Sequence, residues 1–225
     1  MNRLPSSVRQ LVTGLRMLLI FTVICGIIYP LVMVAIAQVA FHKQANGSLV
    51  SYKGKTVGSS LLCQEFVNGK GQPLPQYFQP RPSYAIVDWA LVQGKNGKYS
   101  ISGTGPDNWG CNPLYSAASN LGPNNPAQIQ FVKQRQQQIS AFDHVAISKI
   151  PADAVTGSAS GLDPDISLQN AAIQVDRVAA ARHITPAQVR ALVAKYTTGR
   201  VLGFLGQPVV NVLLLNIALD AKYPV

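Results

Sequence analysis

The sequence has few of the side chains on which catalysis and metal binding depend. Only 12% of the 225 residues are charged, nine are acidic, and Glu65 is the sole glutamate. The three histidines, His42, His144 and His183, are far apart along the chain. It has no Gly-x-Ser-x-Gly, His-Glu-x-x-His, Cys-x-x-Cys or P-loop pattern. We therefore expect neither a catalytic nor a metal site, and the composition favours a subunit or binding module over an enzyme.

Basic residues are in excess, and the formal net charge is +10. They are scattered singly, however, with no basic run and no basic stripe at helical spacing. Nucleic-acid-binding proteins concentrate Lys and Arg on one face or along one helix. We expect a solvated basic surface and no nucleic-acid partner.

One long apolar run, Met17–Phe41, contains 25 residues without a charged side chain. As a helix it would extend roughly 37 Å, enough to cross a hydrocarbon core of about 30 Å. No comparable run follows. The sequence thus predicts a single transmembrane helix at 17–41, followed by one water-exposed α/β (α+β) domain at 42–225.

A cleaved signal peptide is the alternative for this run, because Ala35-Ile36-Ala37 resembles a cleavage site. The run is longer than the usual 7–15-residue core of such a peptide.

Gly26 and Pro30 predict a kink and packing against neighbouring helices, although solitary anchors also carry these residues.

The short N-terminal segment predicts on which side of the membrane the body lies. Three arginines precede the apolar run and three lysines follow it within a similar distance, so the positive-inside rule gives a tie. A short, basic, acid-free segment is most naturally retained in the cytoplasm, which places residues 1–16 inside and exports the body. In that compartment Cys63 and Cys111 are the possible disulfide partners; in a cytosolic body they would be free thiols.

Several elements of the body can be predicted from local signals. A strand pair is expected within Ser48–Val57 around Lys53-Gly54, and a helix is expected to begin near Ser59 or Ser60. The Asn-Pro-Ala-Gln sequence at 125–128 caps a helix of about 16 residues with Ile129, Val132, Ile139 and Phe142 on its apolar face.

The C-terminal third predicts a helical pair and a buried end. A helix over roughly Leu168–Arg182 carries Ala172, Val175, Val178 and Ala179 on one face, with Gln174, Arg177 and Arg182 elsewhere, and a second begins with the capping box of Thr185. Val209–Leu219 is apolar except for Asn211 and Asn216 and is expected to be buried, as a helix rather than a strand.

The segment Pro151–Ser167 is the most unusual part of the body. Residues 154–156 resemble the end of a strand, a Gly/Ser loop follows, and Asp165 or Ser167 caps the next helix. The loop has no lysine, and Asp163 and Asp165 would repel phosphate, so we expect a structural turn where two chain segments pass closely. Two carboxylates are also too few for calcium.

Five strings carry a family resemblance: YFQPRPS (77–83), SNLGPNNP (119–126), PADAVTGSASGLDPDIS (151–167), QVDRVAAARH (174–183) and RVLGFLGQPVVNVLLLNIALD (200–220). Together with the basic leader and single anchor they resemble the C subunit of the Kdp potassium-transporting ATPase. The chain departs from that pattern in a loop-rich insertion at about 84–116 and in Cys63 and Cys111.

The resemblance implies an accessory subunit of the inner membrane, crossing it once, which supports assembly and coupling of ATP hydrolysis to potassium uptake. Its implied partners are a potassium-channel-like subunit, a P-type ATPase subunit, a small single-span subunit and the bilayer. ATP and K⁺ act at the level of the complex. The family is described as raising the ATP affinity of the hydrolysing subunit, and Gln174 occupies the family's glutamine position, which implies a nucleotide contact.

Other residues are expected to face partners. Arg81 lies between two prolines, so its backbone is extended and fixed for presentation, and the resemblance adds Asn120, Asp163 and Asp165. Two alternatives stay open: a membrane-tethered binding module unrelated to transport, and a secreted enzyme.

Overall fold

The computed structural model describes residues 5–83, 90–93, 99–102 and 111–225. The chain divides into two units, Met1–Leu49 and Val50–Val225. The prediction of a long apolar helix followed by a mixed helix and sheet domain is confirmed.

The first unit is a long helix with one change of hydrogen-bonding pattern. Helix α1 (Ser6–Val23) continues through a π-helical turn (Ile24–Ile28) into α2 (Tyr29–Ala40). Pro30 accounts for the π turn, because proline lacks the N–H for the bond four residues back and its ring crowds the carbonyl of Gly26. The hydrogen-bonding pattern of the helix therefore changes at the place where the sequence predicted a kink.

The 35 residues Ser6–Ala40 are long and apolar enough to span a membrane, and none of their hydrophobic window is buried. An apolar helix near the N-terminus is also found in signal sequences. Here the helix continues past the possible cleavage site and ends at Ala40, where Phe41 leaves the helical conformation. A short helix, α3 (His42–Ala45), follows.

The body begins with the predicted strand pair, β1 (Leu49–Tyr52) and β2 (Lys55–Ser59). Lys53 and Gly54 both have positive φ, 50° and 77°, as the tight turn of a twisted hairpin requires. The helix predicted near Ser59 or Ser60 is wrong. The backbone there bonds to distant segments instead: Cys63 N–H donates to Leu162 O at 3.0 Å.

The insertion at 84–116 lies largely outside the described residues. Its described part contains β3 (Ala90–Gln93) paired antiparallel with β4 (Tyr99–Ser102), followed by residues from Cys111 onward.

Helix α4 (Pro126–Asp143) confirms the predicted start, since the Asn125 side chain accepts from the Ala127 N–H at 2.9 Å. The predicted apolar face is wrong in part. Ile129 is 42% exposed, whereas the buried face combines Ala127, Phe131, Arg135, Ile139 and Asp143 at four-residue spacing. Two charged residues lie on that face, so hydrophobic periodicity alone misplaces it.

The segment 151–167 contains a single helical turn, α5 (Ala152–Val155), where a strand end was predicted, so that prediction is wrong. Its carbonyls bond within the turn, with Thr156 N–H donating to Ala152 O at 3.0 Å. Strand β5 (Asp165–Ser167) then leads into α6 (Leu168–Ala181), and Ser167 is the predicted cap, accepting from Asn170 N–H at 3.0 Å.

The C-terminal third completes the core. Helix α7 (Pro186–Lys195) has the predicted Thr185 capping box. The stretch predicted as a helix begins instead as a strand, β7 (Val209–Asn211), before α8 (Val212–Lys222), because Asn211 caps the helix and accepts from Leu214 N–H. Strands β5 and β6 (Thr197–Thr198) flank β7, both antiparallel to it. The main core joins this sheet to α6, α7 and α8 through Phe78, Ile166, Val175, Val178, Val189, Val210, Leu215 and Leu219.

Two features fix the 156–163 loop against neighbouring chain. Cys63 and Cys111 form a disulfide, with both residues buried and their Cα atoms 6.1 Å apart. Gly161 has a φ of +69°, and a Cβ there would overlap the Ala117 carbonyl oxygen and lie 2.7 Å from Ser83 Oγ. The expected close passage of two segments is confirmed.

We predict that Gly161→Ala lowers the free energy of unfolding more than Gly71→Ala does. Both glycines have positive φ, but nothing lies within 4 Å of a Cβ at Gly71. Left-handed backbone costs either alanine about 1–2 kcal/mol, and overpacking adds about 1–3 kcal/mol at Gly161 alone. Urea unfolding of the full chain in detergent measures the difference, and equal losses would contradict the close passage.

Candidate functional site

The residues Pro75–Gln79, called here the clamped segment, cross the body without a neighbouring strand. Each of its five backbone carbonyl oxygens accepts a hydrogen bond from a side chain of α6, its C-cap or α8. Buried backbone groups need such partners, because an unpaired one costs about 1–3 kcal/mol. The donors are Arg177 to Pro75 and Tyr77, Arg182 to Gln76, Asn216 to Phe78, and Gln174 to Gln79.

Two amide side chains imitate strand partners. Asn216 accepts from Phe78 N–H and donates to Phe78 O, both at 2.9 Å. Gln174 likewise accepts from Gln79 N–H at 2.7 Å and donates to Gln79 O at 3.2 Å. Phe78 is fully buried in the main core, so the paired amides allow its backbone to enter an apolar interior.

Gln174, the predicted nucleotide contact, is 3% exposed. Its Oε1 also accepts from Arg177 Nη2 at 2.8 Å, and its Nε2 donates to Asn170 Oδ1 at 2.9 Å. All four bonds of the amide are therefore made within the domain. A nucleotide would have to replace one of them, and the contact stays a prediction.

Arg177 links the clamped segment to α4. Its Nε donates to Asp143 Oδ1 at 2.7 Å, and its Nη1 donates to the carbonyls of Pro75 at 2.7 Å and Tyr77 at 2.9 Å. Burial raises the pKa of Asp143, and the Arg177 guanidinium beside it only partly offsets that rise. A pair this deeply buried has high desolvation costs, so its role is to position α4, α6 and the clamped segment together.

Arg182 joins the clamped segment to the C-terminal end of the chain. Its guanidinium is fully buried and donates at 2.7 Å to Gln76 O, Tyr223 O and Asp220 Oδ1. Tyr77 donates to the other Asp220 oxygen at 3.1 Å. Burial is the main reason that the pKa of the Tyr77 hydroxyl is raised, and Asp220 adds to it.

Arg81, predicted to face a partner, is directed inward in this structure. Its Nη1 donates to Asp163 Oδ2 at 2.7 Å and its Nη2 to the carbonyls of Thr156 and Gly157 at 3.3 and 3.4 Å. Asp163 also accepts from Asp165 N–H at 3.0 Å. Burial, and then the neighbouring Asp163, raises the pKa of Asp165. The structure thus brings Arg81, Asp163 and Asp165 together.

The remaining predicted residues lie apart from this cluster. Asn120 is exposed with a φ of 52°, and Gly26 and Pro30 belong to the N-terminal helix. The three histidines are exposed, and among the described residues no group of three or more His, Cys, Asp or Glu could hold a metal. Whether any of these residues contacts a partner stays a prediction.

The sequence did not predict most of the side chains that bind the clamped segment, called here the clamp. Arg177, Arg182 and Gln174 were placed off the apolar face of α6, yet all three are buried. One signal was available: Asn216 lies within an apolar run that must be buried, and a buried amide requires a hydrogen-bond partner.

We predict that Asp143→Ala lowers the free energy of unfolding by about 3–5 kcal/mol, because it leaves the buried Arg177 cation without its carboxylate. The control is Asp176→Ala, since Asp176 pairs with Arg190 at 3.5 Å on the surface; it should cost less than about 1 kcal/mol. Denaturant unfolding followed by circular dichroism compares the two. Similar losses would show that the buried pair does not hold the clamp.

Comparison with known proteins gives one family. The family model described as "KdpC: K+-transporting ATPase, c chain" matches residues 11–221. Potassium-transporting ATPase KdpC subunits from three bacteria align over nearly full length. That of Streptomyces avermitilis is 42% identical (97% of this chain, 96% of the relative), that of Geobacter sulfurreducens 43% (96% and 100%), and that of Sorangium cellulosum 46% (92% and 95%).

The resemblance inferred from the five sequence strings is confirmed by these matches, which extend from the N-terminal helix to α8. The chain belongs to the KdpC family, the c chain of the K⁺-transporting ATPase.

Proposed function

We propose that this chain, fixed in the cell membrane by its N-terminal helix, supports assembly of the K⁺-transporting ATPase and couples ATP hydrolysis to K⁺ uptake. The observation that carries the proposal is the family match, which includes helix and body alike. As a KdpC subunit the chain is an accessory subunit, and catalysis resides in another subunit of that ATPase. The relatives give no support to a tethered binding module unrelated to transport.

The proposed topology places the N-terminus in the cytoplasm and residues 42–225 on the opposite side. Three features support it. The helix Ser6–Ala40 has the length and composition of a span. The leader before it is short and basic. The Cys63–Cys111 disulfide is of a kind that persists in oxidising compartments and is rare in the cytosol.

We predict that a cysteine at the exposed Lys70, in a Cys25→Ser background, reacts with a membrane-impermeant maleimide on intact spheroplasts. Cys63 and Cys111 are paired, so the introduced thiol is the reactive one. Ser6→Cys is the control and should react only after permeabilisation. The opposite pattern would place the body in the cytoplasm, where Gln174 could contact ATP only by giving up one of its four hydrogen bonds within the domain.

The proposed partners are the potassium-channel-like subunit, the P-type ATPase subunit and the small single-span subunit, together with the bilayer. ATP and K⁺ act at the level of the complex. Gly26 supports helix packing against such partners, because, its own helix backbone aside, none of the described residues lies within 4 Å of a Cβ at that position and a neighbouring helix could approach closely. Pro30 and the π turn add backbone groups that a neighbour can satisfy.

A body outside the membrane cannot touch cytoplasmic ATP. Any effect on ATP affinity then has to pass through the N-terminal helix as a coupling free energy between two states of the complex. The π turn at Ile24–Ile28 is the feature of that helix most suited to such a change, since π turns inside helices are often found at functional sites.

We predict that Gly26→Asp abolishes K⁺-stimulated ATPase activity or removes the chain from the complex, whereas Gly14→Asp is tolerated. Both glycines have open space around them, but Gly26 lies in the middle of the span, where a charge costs about 2.5–3.5 kcal/mol. Co-purification and ATPase assays of the whole complex measure the effect. Full activity of the Gly26 variant, or of a complex lacking the chain, would refute the proposal.

A further inference from the structure

The connection between β6 and β7 exposes a cluster of large apolar side chains, Val201–Leu205, called here the apolar tip. Leu202 is 79% exposed, Phe204 67% and Val201 63%. The tip has a defined shape. Val201 and Leu205 exchange two backbone hydrogen bonds of 3.0 Å, and the chain reverses at Leu202 and Gly203, whose φ values are 54° and 81°. Water contact with so compact an apolar cluster is unfavourable, which marks it as an interaction site.

An apolar groove lies between α6 and α7 at the same end of the sheet. It has a volume of about 400 Å³, and its lining includes Leu168, Ala172, Val193 and Thr197. In the sheet register Val209 is opposite both Ser167 and Thr198. The chain therefore leaves the sheet at the same end in two places. One is at Leu168, which follows Ser167, and the other is at the connection that follows Thr198. The convex tip and the concave groove therefore both lie at this end of the sheet.

The shape of this surface favours a protein over a lipid bilayer as its binding partner. A bilayer could receive the convex tip but would leave the groove unfilled, whereas a protein surface can fit both with the close packing that interfaces need. The exposed Arg200 directly precedes the tip, and the exposed Lys195 ends α7, one of the two helices of the groove. Arg190 lines the groove and pairs with Asp176 at 3.5 Å, and no acidic residue occurs in the sequence between Asp176 and Asp220. A complementary surface is therefore apolar at its centre and neutral or acidic at its rim.

We propose that the apolar tip and the α6/α7 groove are a docking surface for another protein subunit of the K⁺-transporting ATPase, one that presents an apolar protrusion beside an apolar recess. The inference rests on the proposed function, because that function supplies a complex in which this surface is covered. Phe204 and Leu202 are the anchors, since large apolar side chains seated in a partner's recess dominate such interfaces.

Photocrosslinking in the purified complex tests the occupant. The probe, p-benzoyl-phenylalanine, replaces Leu202 in one chain and the exposed Lys70 in a control, and the complexes are irradiated in lipid nanodiscs. We expect an adduct between position 202 and a subunit of the ATPase, identified by mass spectrometry, at a yield at least tenfold above position 70. Adducts with lipid alone, or equal yields, would overturn the proposal while the chain's retention in the complex leaves the proposed function standing. A complex that lacks the unmodified chain would overturn both.

A pair of variants tests the energetics. We expect Leu202→Asp combined with Phe204→Asp to reduce the amount of chain retained in the complex at least tenfold, with its disulfide and its thermal unfolding unchanged. Leu61→Asp is the matched control, because Leu61 is 60% exposed but lies outside the tip. Equal retention of the two variants would overturn the proposal.

Discussion

Five consecutive carbonyl oxygens, from Pro75 to Gln79, are satisfied by side chains instead of by a strand, and the body depends on this substitution. A sheet of three short strands offers no free edge long enough for that segment. The segment still has to enter the interior at Phe78 and Gln79, which are buried, and Phe78 contributes one of the largest fully buried side chains. Arginine and amide side chains solve the problem, since each can donate more than one hydrogen bond.

The residues that follow the clamped segment also fix the 156–163 loop. Immediately after the clamped segment, Arg81 bonds to Asp163 and to two carbonyls of the 156–163 loop, while Ser83 lies against Gly161. The disulfide brings Cys111 to Cys63, whose N–H donates to Leu162 O. Three segments far apart in sequence therefore meet at one short loop. Small residues are needed there because no Cβ fits at Gly161, which explains a composition that otherwise resembles a phosphate-binding loop.

Local signals in the sequence predicted much of the fold and little of the clamp. The caps at Asn125, Ser167 and Thr185 and the turn at Lys53-Gly54 act within a few residues, so they can be read from the chain directly. Arg177 and Gln174 are different, because their partners lie about 100 residues away and neither has a periodic signature. Their polar character predicts a solvated face, and only the tertiary contacts reverse that assignment. The family resemblance rests on long strings such as residues 151–167. The contacts of the 156–163 loop explain why that string contains small residues.

The polar and apolar surfaces of this body are used in a way that suits a subunit. Arg81, Gln174, Arg177 and Arg182, the side chains that a ligand would otherwise recognise, are directed inward and bonded to the protein's own backbone. The large apolar side chains of the tip are directed outward, and each is at least half exposed. A small-molecule site instead directs a few polar groups into an apolar pocket. In this body those polar side chains are used within the domain, which favours a role through contact with other proteins rather than through chemistry of its own.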